Sequence, residues 1–243
     1  MVKILAEFLT EPFPNIACLV HWQILRKTRM NTLKLNTLFF LAVFVSFGLM
    51  ISCASVPPER VAERERPVPP EYIMGAGVLS AEQMAHFLRI NNPHLDMDFA
   101  RAIANYYIEE AAKEGVNHDI AFAQMILETG FLAFGNLVTP AQNNFAGLGS
   151  TGLPGPDGLP ERGLYFPEPR IGVRAHIQHL KAYASTEPLN MELVNPRFHL
   201  IEAIFGRGIA PTIQGLTGRW ATDPLYCQKI TVIMQRMYDF AFA

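Results

Sequence analysis

Residues 117–135 read NHDIAFAQMILETGFLAFG. The Asn117 side chain is placed to cap a helix from His118 to Thr129, because its oxygen can accept a backbone N–H of the first turn. Gly130 supplies the stop, since a left-handed residue there costs glycine nothing. Gln124 and Glu128 are four apart and share a helix face. Glu128 falls on the last turn, where the helix dipole is negative and disfavours a carboxylate. Leu127, Phe131, Leu132 and Phe134 add an apolar surround. Both effects push a carboxyl pKa upward, which is what an acid that protonates a glycosidic oxygen needs near neutral pH. Taken by itself, the spacing also fits a solvated glutamate at a helix end.

Working outward, Ser80 with Gln83 forms a capping box, and Met84, Phe87 and Leu88 follow at helical spacing until Pro93. A second helix is expected from Asp96 to Glu114, with Phe99, Ile103, Tyr106 and Ala111 inward and Gly115 as its stop. Further helices are expected at 171–184, 198–205 and 224–240. Between them, residues 139–169 form a long Gly/Pro loop, a length that marks a functional segment or disorder. Within it, 146–165 holds six glycines and three prolines, and is expected to close over a substrate chain. Strand signal is weak, with a short hairpin inside 145–168 as its one candidate. The expected body, 78–243, is one mostly helical domain.

Composition narrows the function. Half of the 243 residues are apolar and 17% are charged, which suits a packed domain. Residues 1–52 hold five Lys/Arg and two Glu, leaving 15 basic and 20 acidic residues, a charge of −5, for the rest. No basic stripe interrupts this, so nucleic acid is not an expected partner. The three cysteines, Cys18, Cys53 and Cys227, have no metal-site spacing. His176 and His179 lie three apart on a helix but have no third ligand in view, so neither a metal nor a cofactor is expected.

The N-terminal region reads as an address. Leu38 to Ile51, LFFLAVFVSFGLMI, is too short for a membrane-spanning helix and fits the apolar region of a signal peptide. It runs into Met50-Ile51-Ser52-Cys53, which resembles the lipobox of bacterial lipoproteins, with Cys53 as the acylated residue. Translation from Met30 gives this signal a short n-region, so 1–29 is expected to precede the true start. Residues 53–77, rich in Pro, Glu and Arg, read as a lipidated tether. The expected location is the cell envelope, with the chain a monomer lipid-anchored to a membrane on its periplasmic or extracellular face. Ala54 lacks the aspartate that marks inner-membrane retention in many two-membrane bacteria, and so favours an outer membrane where there is one.

Four blocks carry a resemblance: FAQMILETGFLAFGN (122–136), QNNFAGLGSTG (142–152), GVRAHIQHLKAYA (172–184) and GRWATDPLYCQKI (218–230). In this order they resemble the glucosaminidase domain of glycoside hydrolase family 73, over about residues 78–240. The resemblance implies a lysozyme-like, two-lobed helical fold with a long cleft loop. It implies hydrolysis of the β-1,4 bond between N-acetylglucosamine and N-acetylmuramic acid in peptidoglycan. Glu128 matches the family's catalytic acid and Tyr226 a tyrosine near the scissile bond. Asn144 and Phe145 match a pair on the cleft wall, where Gln124 and Trp220 are further candidates for binding sugar. Two departures stand out: Phe131 replaces the family's usual tryptophan, and Cys227 a small residue. Neither removes a reacting group.

Two-carboxylate glycosidases need a second Asp or Glu. Glu168 is the leading candidate by position, with Glu161 behind it; the substrate's own acetamido group is the alternative. Tyr106 and Tyr107 read as packing residues, Cys227 as a buried thiol, and Asp223 as a helix N-cap. Two competing functions remain. A lytic transglycosylase shares the fold and a lone glutamate, but usually carries a Gly-Leu-Met-Gln type block where this chain has Asn-Asn-Phe-Ala-Gly-Leu-Gly. A wall-binding lipoprotein without activity would have no need of Glu128, Asn144 and Tyr226 together.

If Cys53 carries the anchor, Cys53→Ser releases a folded protein from the membrane fraction. An unchanged detergent partition for that variant contradicts the assignment.

Overall fold

In the computed structural model, residues 66–135, 137–150, 153–154, 158–159 and 161–243 are described. The chain divides into two units after Val61. The first unit, with the signal region and Cys53, lies outside the described residues, as do 62–65 and the loop positions 151–152, 155–157 and 160.

Seven helices build the second unit: α1 Ala81–Asn91, α2 Met97–Glu114, α3 His118–Thr129, α4 Pro169–Ala184, α5 Phe198–Phe205, α6 Ile213–Leu216 and α7 Tyr226–Ala241. A single 3-10 turn, Pro140–Gln142, breaks the long loop. No strand occurs among the described residues; isolated bridges join Tyr72 to Thr212, Met74 to Val116 and Thr217 to Ala221. Where the hairpin is expected, backbone bonds join the loop's described limbs, among them Leu164 N–H to Leu148 O at 2.8 Å and Glu161 N–H to Leu153 O at 2.9 Å. No helix among the described residues is long and apolar enough to cross a membrane.

The helix ends follow their local chemistry. Ser80 and Gln83 form the reciprocal capping box. Asp96 accepts from Phe99 N–H, and Asn117 from the N–H groups of Asp119 and Ile120. Gly115 and Gly130 close α2 and α3 in the left-handed region. Two boundaries shift. Pro169 opens α4 two residues earlier than expected, since proline at the first position gives up no helical hydrogen bond. Helix α7 begins at Tyr226 instead of 224; Asp223 accepts from Leu225 N–H at 2.9 Å, just before the helix, and does not cap it.

Helix α3 is the centre of the core. Ile120, Phe122, Met125 and Ile126 are all fully buried, and so are the alanines between them. At about 1.5–3 kcal/mol for each large apolar side chain, this one helix anchors α2, α4 and α7 around itself. Its N-terminal end is held by Asp119, whose carboxylate accepts from Val78 N–H, Leu79 N–H and the Tyr238 hydroxyl. Helices α2 and α4 are joined by Glu110. Burial pushes that carboxyl up, but hydrogen bonds from Arg174, Lys113 and Arg170 override it and bring it to about 2. The buried pair of Glu114 and Lys181, 2.8 Å apart, makes a second link.

The expected tether boundary at 77 requires correction. Residues 71–77 lie on the body: Ile73 is fully buried, its N–H donates to Pro211 O, and its carbonyl accepts from Asn117 N–H. One apolar side chain with a receptive pocket, plus backbone bonds on both sides, outweighs the segment's proline-rich composition.

The long loop is seated on α4 at one close approach. A Cβ on Gly172 would stand 1.7 Å from the Asn143 carbonyl oxygen. Gly172→Ala is therefore expected to lower the melting temperature. The roughly 1 kcal/mol of helix propensity that alanine offers is outweighed by about 1–3 kcal/mol of forced displacement. A thermal melt showing a stabilised variant contradicts this seating.

Candidate active site

Glu128 closes α3 and lines a cavity of about 520 Å³ with Phe134, Leu137, Val138, Gly147 and Ser150. Its carboxyl has two donors on one oxygen. Trp220 Nε1–H donates to Oε1 at 3.1 Å, and the Tyr226 hydroxyl donates to the same atom. The other oxygen, Oε2, lies beside Gly147, where an added Cβ would stand 3.5 Å away. Burial raises the Glu128 pKa above the ordinary glutamate value, and the bonds from Tyr226 and Trp220 pull it back only in part. Tyr226 is itself buried, and that burial, with Glu128 beside it, pushes its phenol far above the usual range. It therefore acts as a neutral donor.

The chain after Glu128 turns sharply to build the cavity wall. Phe131, Leu132 and Phe134 all have φ between 57° and 59°, a region that costs non-glycine residues about 1–2 kcal/mol each. The turn is held by Thr129 Oγ1, which accepts from Leu132 N–H, and by Asn92, which donates to Phe131 O. Phe131 packs on Phe87, Leu132 is buried, and Phe134 is left facing the cavity.

The residues singled out in the sequence divide by position. Glu128, Tyr226 and Trp220 come together around one carboxylate oxygen. Gln124 is fully buried, and its amide is taken by Tyr226 and His176. It holds the Tyr226 hydroxyl and does not line the cavity. Asn144 is likewise buried; it donates to Leu148 O and Leu164 O and accepts from Leu148 N–H. Its role is to shape the loop that carries Gly147. Phe145 sits in the main core beside α4. All three are buried, and none lines the cavity at Glu128.

Glu168 is exposed at the start of α4, where its carbonyl accepts from Ile171 and Gly172 N–H. Neither Glu168 nor Glu161 lines the Glu128 cavity, and no other carboxylate among the described residues does. Cys227 is a free, half-buried thiol whose N–H donates to Thr217. Trp220 is half-buried, with its ring against His176, His179 and Tyr183.

The meeting of Tyr107 with His176 is not visible in the sequence. Tyr107 packs edge-on against Phe122, but its hydroxyl also meets His176 Nδ1 at 2.8 Å. Burial, with His179 nearby, drives the His176 pKa down to about 3. His179 is lowered to about 3 chiefly by burial too, and its Nδ1 is paired with Asn195. Among the described residues, no group of three or more His, Cys, Asp or Glu is gathered as a metal site would require. The one signal that could have found His176 was its four-block neighbourhood; its partners, 52 and 69 residues away, are visible only in three dimensions.

Comparison with known proteins adds three findings. The family model described as "Glucosaminidase: Mannosyl-glycoprotein endo-beta-N-acetylglucosaminidase" matches residues 104–239. An uncharacterised protein of Borreliella burgdorferi is 39% identical over 178 residues, 73% of this chain and 81% of that protein. A crystal structure of S. aureus autolysin E in complex with the muropeptide NAM-L-Ala-D-iGlu is 15% identical, with a TM-score of 0.42, over 70% of this chain and 71% of that one.

The raised Glu128 pKa has a consequence for stability. A carboxyl that holds its proton more tightly when folded stabilises the native state below its unfolded pKa, about 4.3. That stability is lost as pH rises through the folded value. Glu128→Gln removes the loss while keeping an acceptor for Tyr226 and Trp220. The variant is expected to melt at or above the wild-type temperature at pH 7, with the difference shrinking below pH ~4.3. A lower melting temperature at pH 7 would mark Glu128 as a paired structural carboxylate.

Proposed function

The chain belongs to the glucosaminidase family, and from that premise we propose that it hydrolyses the β-1,4 bond after N-acetylglucosamine in peptidoglycan, with Glu128 as general acid. The observation that carries the reading is the Glu128 carboxyl itself: raised in pKa by burial, held by two donors on Oε1, and presenting Oε2 to a cavity. A protonated carboxyl so placed can give its proton to the glycosidic oxygen as the bond to the sugar's C1 breaks. Water adds at C1, and the proton it releases restores Glu128. On the far face of C1, the charge is met by the substrate's own acetamido oxygen, a route known where a second protein carboxylate is not used. The described lining, with Glu128 as its one carboxylate, supports this.

Tyr226 holds the carboxyl in register, and Trp220, its ring packed on His176, His179 and Tyr183, donates to the same oxygen. The lipobox-like Met50-Ile51-Ser52-Cys53 supports an envelope location for this reading, in which a lipid on Cys53 holds the monomeric enzyme to a membrane near its glycan. Asn144, through the loop bonds it makes, keeps Gly147 over Oε2.

A zymogram on purified wall tests the reading. Glu128→Gln is expected to lose at least ~100-fold of the wild-type rate, since a positioned acid supplies about 10²–10⁴-fold. Activity within threefold of wild type removes Glu128 from the mechanism. Product mass tests the bond and the reaction. Reducing-end N-acetylglucosamine is expected; reducing-end N-acetylmuramic acid indicates a muramidase, and an anhydro-sugar a lytic transglycosylase. No product from the wild type leaves the wall-binding reading.

A further inference from the structure

The hydrogen bonds behind Glu128 run deeper than one carboxyl needs. Tyr226, which donates to Glu128 Oε1, accepts in turn from Gln124 Nε2 at 2.8 Å. Gln124 Oε1 lies 2.9 Å from His176 Nε2, and His176 Nδ1 lies 2.8 Å from the Tyr107 hydroxyl. These side chains come from α7, α3, α4 and α2, and none is more than 4% exposed. Water is thus poorly placed to substitute for any of them.

A neutral imidazole has one N–H and one acceptor nitrogen, so the relay has a direction. In the first direction, Tyr107 donates to Nδ1 and Nε2–H donates to Gln124 Oε1. The Gln124 amide then donates to Tyr226, and Tyr226 donates to Glu128. In the second, every bond is reversed, and Glu128 has to donate through Oε1 to the Tyr226 oxygen. The second direction strands the Tyr107 hydroxyl proton. That hydroxyl is fully buried and its hydrogen-bond partner is His176 Nδ1; a buried donor left unmade is costly. Tyr107 therefore selects the first direction.

We propose that Tyr107 and His176 are positioning residues that fix the direction of this relay, so that Glu128 Oε1 only accepts and the transferable proton is held on Oε2, beside Gly147 and the cavity. The inference rests on Glu128 being the general acid. No proton crosses the relay. In each turnover Oε2 gives its proton to the glycosidic oxygen and recovers one from the water that adds to the sugar. The titratable groups around the relay are Tyr107 on α2, Glu128 on α3, His176 and His179 on α4, and Tyr226 on α7, with Tyr183 acting on Tyr226.

Two measurements on the full chain test this. The first is the kcat, KM and pH profile of Tyr107→Phe on a soluble peptidoglycan fragment. Without the hydroxyl, the relay loses its bias and Tyr226 no longer always donates to Glu128. The kcat is expected to fall roughly three- to tenfold, a fraction of the ~10²–10⁴ supplied by the acid itself, with KM unchanged. The alkaline limb is expected to move to higher pH, because a carboxylate that loses a donor binds its proton more tightly. A loosened fold that let water reach Glu128 would move the limb the other way, and that result overturns the proposal. So does a wild-type kcat with an unmoved limb, provided that Glu128→Gln is inactive. An active Glu128→Gln instead withdraws the general-acid reading on which the proposal stands. The second measurement needs no variant: ¹⁵N NMR of the His176 ring in the wild type. The Nε2–H tautomer is expected, and the Nδ1–H tautomer overturns the proposal even if Tyr107→Phe does not fold.

Discussion

The structure turns on a carboxyl group withdrawn from water at the negative end of a buried helix. Glu128 sits on the last turn of α3, where both burial and the helix dipole oppose its charge. A carboxylate there without donors would be costly. Tyr226 and Trp220 resolve this by donating to one oxygen. They soften the penalty of the charged form without abolishing the upward pKa shift. The other oxygen is left beside Gly147 at the cavity.

That arrangement dictates where α7 must lie. Tyr226 is its first residue and meets the C-terminal end of α3, through Gln124 and Glu128. Tyr238, near its last turn, meets Asp119 at the N-terminal end of α3. The two helices therefore run antiparallel, pinned at both ends by a tyrosine hydroxyl on a buried polar group. Asp119 also gathers the backbone of Val78 and Leu79. The segment leading into α1 is thus fixed by the same helix that carries the acid. Helices α2 and α4 approach α3 from other sides, and they contribute Tyr107 and His176 to the hydrogen bonds behind the site.

Much of this was legible in the sequence because it is local. The capping box at Ser80, the caps at Asp96 and Asn117, and the glycine stops at 115 and 130 are short-range chemistry, and they set the helix ends where expected. Glu128 was singled out by the family resemblance, and its helix position and apolar neighbours pointed to a raised carboxyl pKa, the direction the structure also gives. Features that depend on distant partners were not legible. Ile73 looked like part of a tether because its pocket is formed by residues far along the chain. The left-handed turn at Phe131, Leu132 and Phe134 has no glycine to announce it, since tertiary contacts sustain its strain. Gln124, Asn144 and Phe145 are buried and do not line the Glu128 cavity. Nothing in a one-dimensional pattern tells a wall's face from its backing.

The central claim is that Glu128 keeps its proton to a higher pH than an ordinary glutamate in the free protein. Infrared difference spectroscopy of wild type minus Glu128→Gln, followed through a pH titration, observes that proton directly. A protonated-carboxyl band, absent from the variant, is expected to persist above pH ~4.3, the ordinary glutamate value. A band that disappears at or below that pH would contradict it.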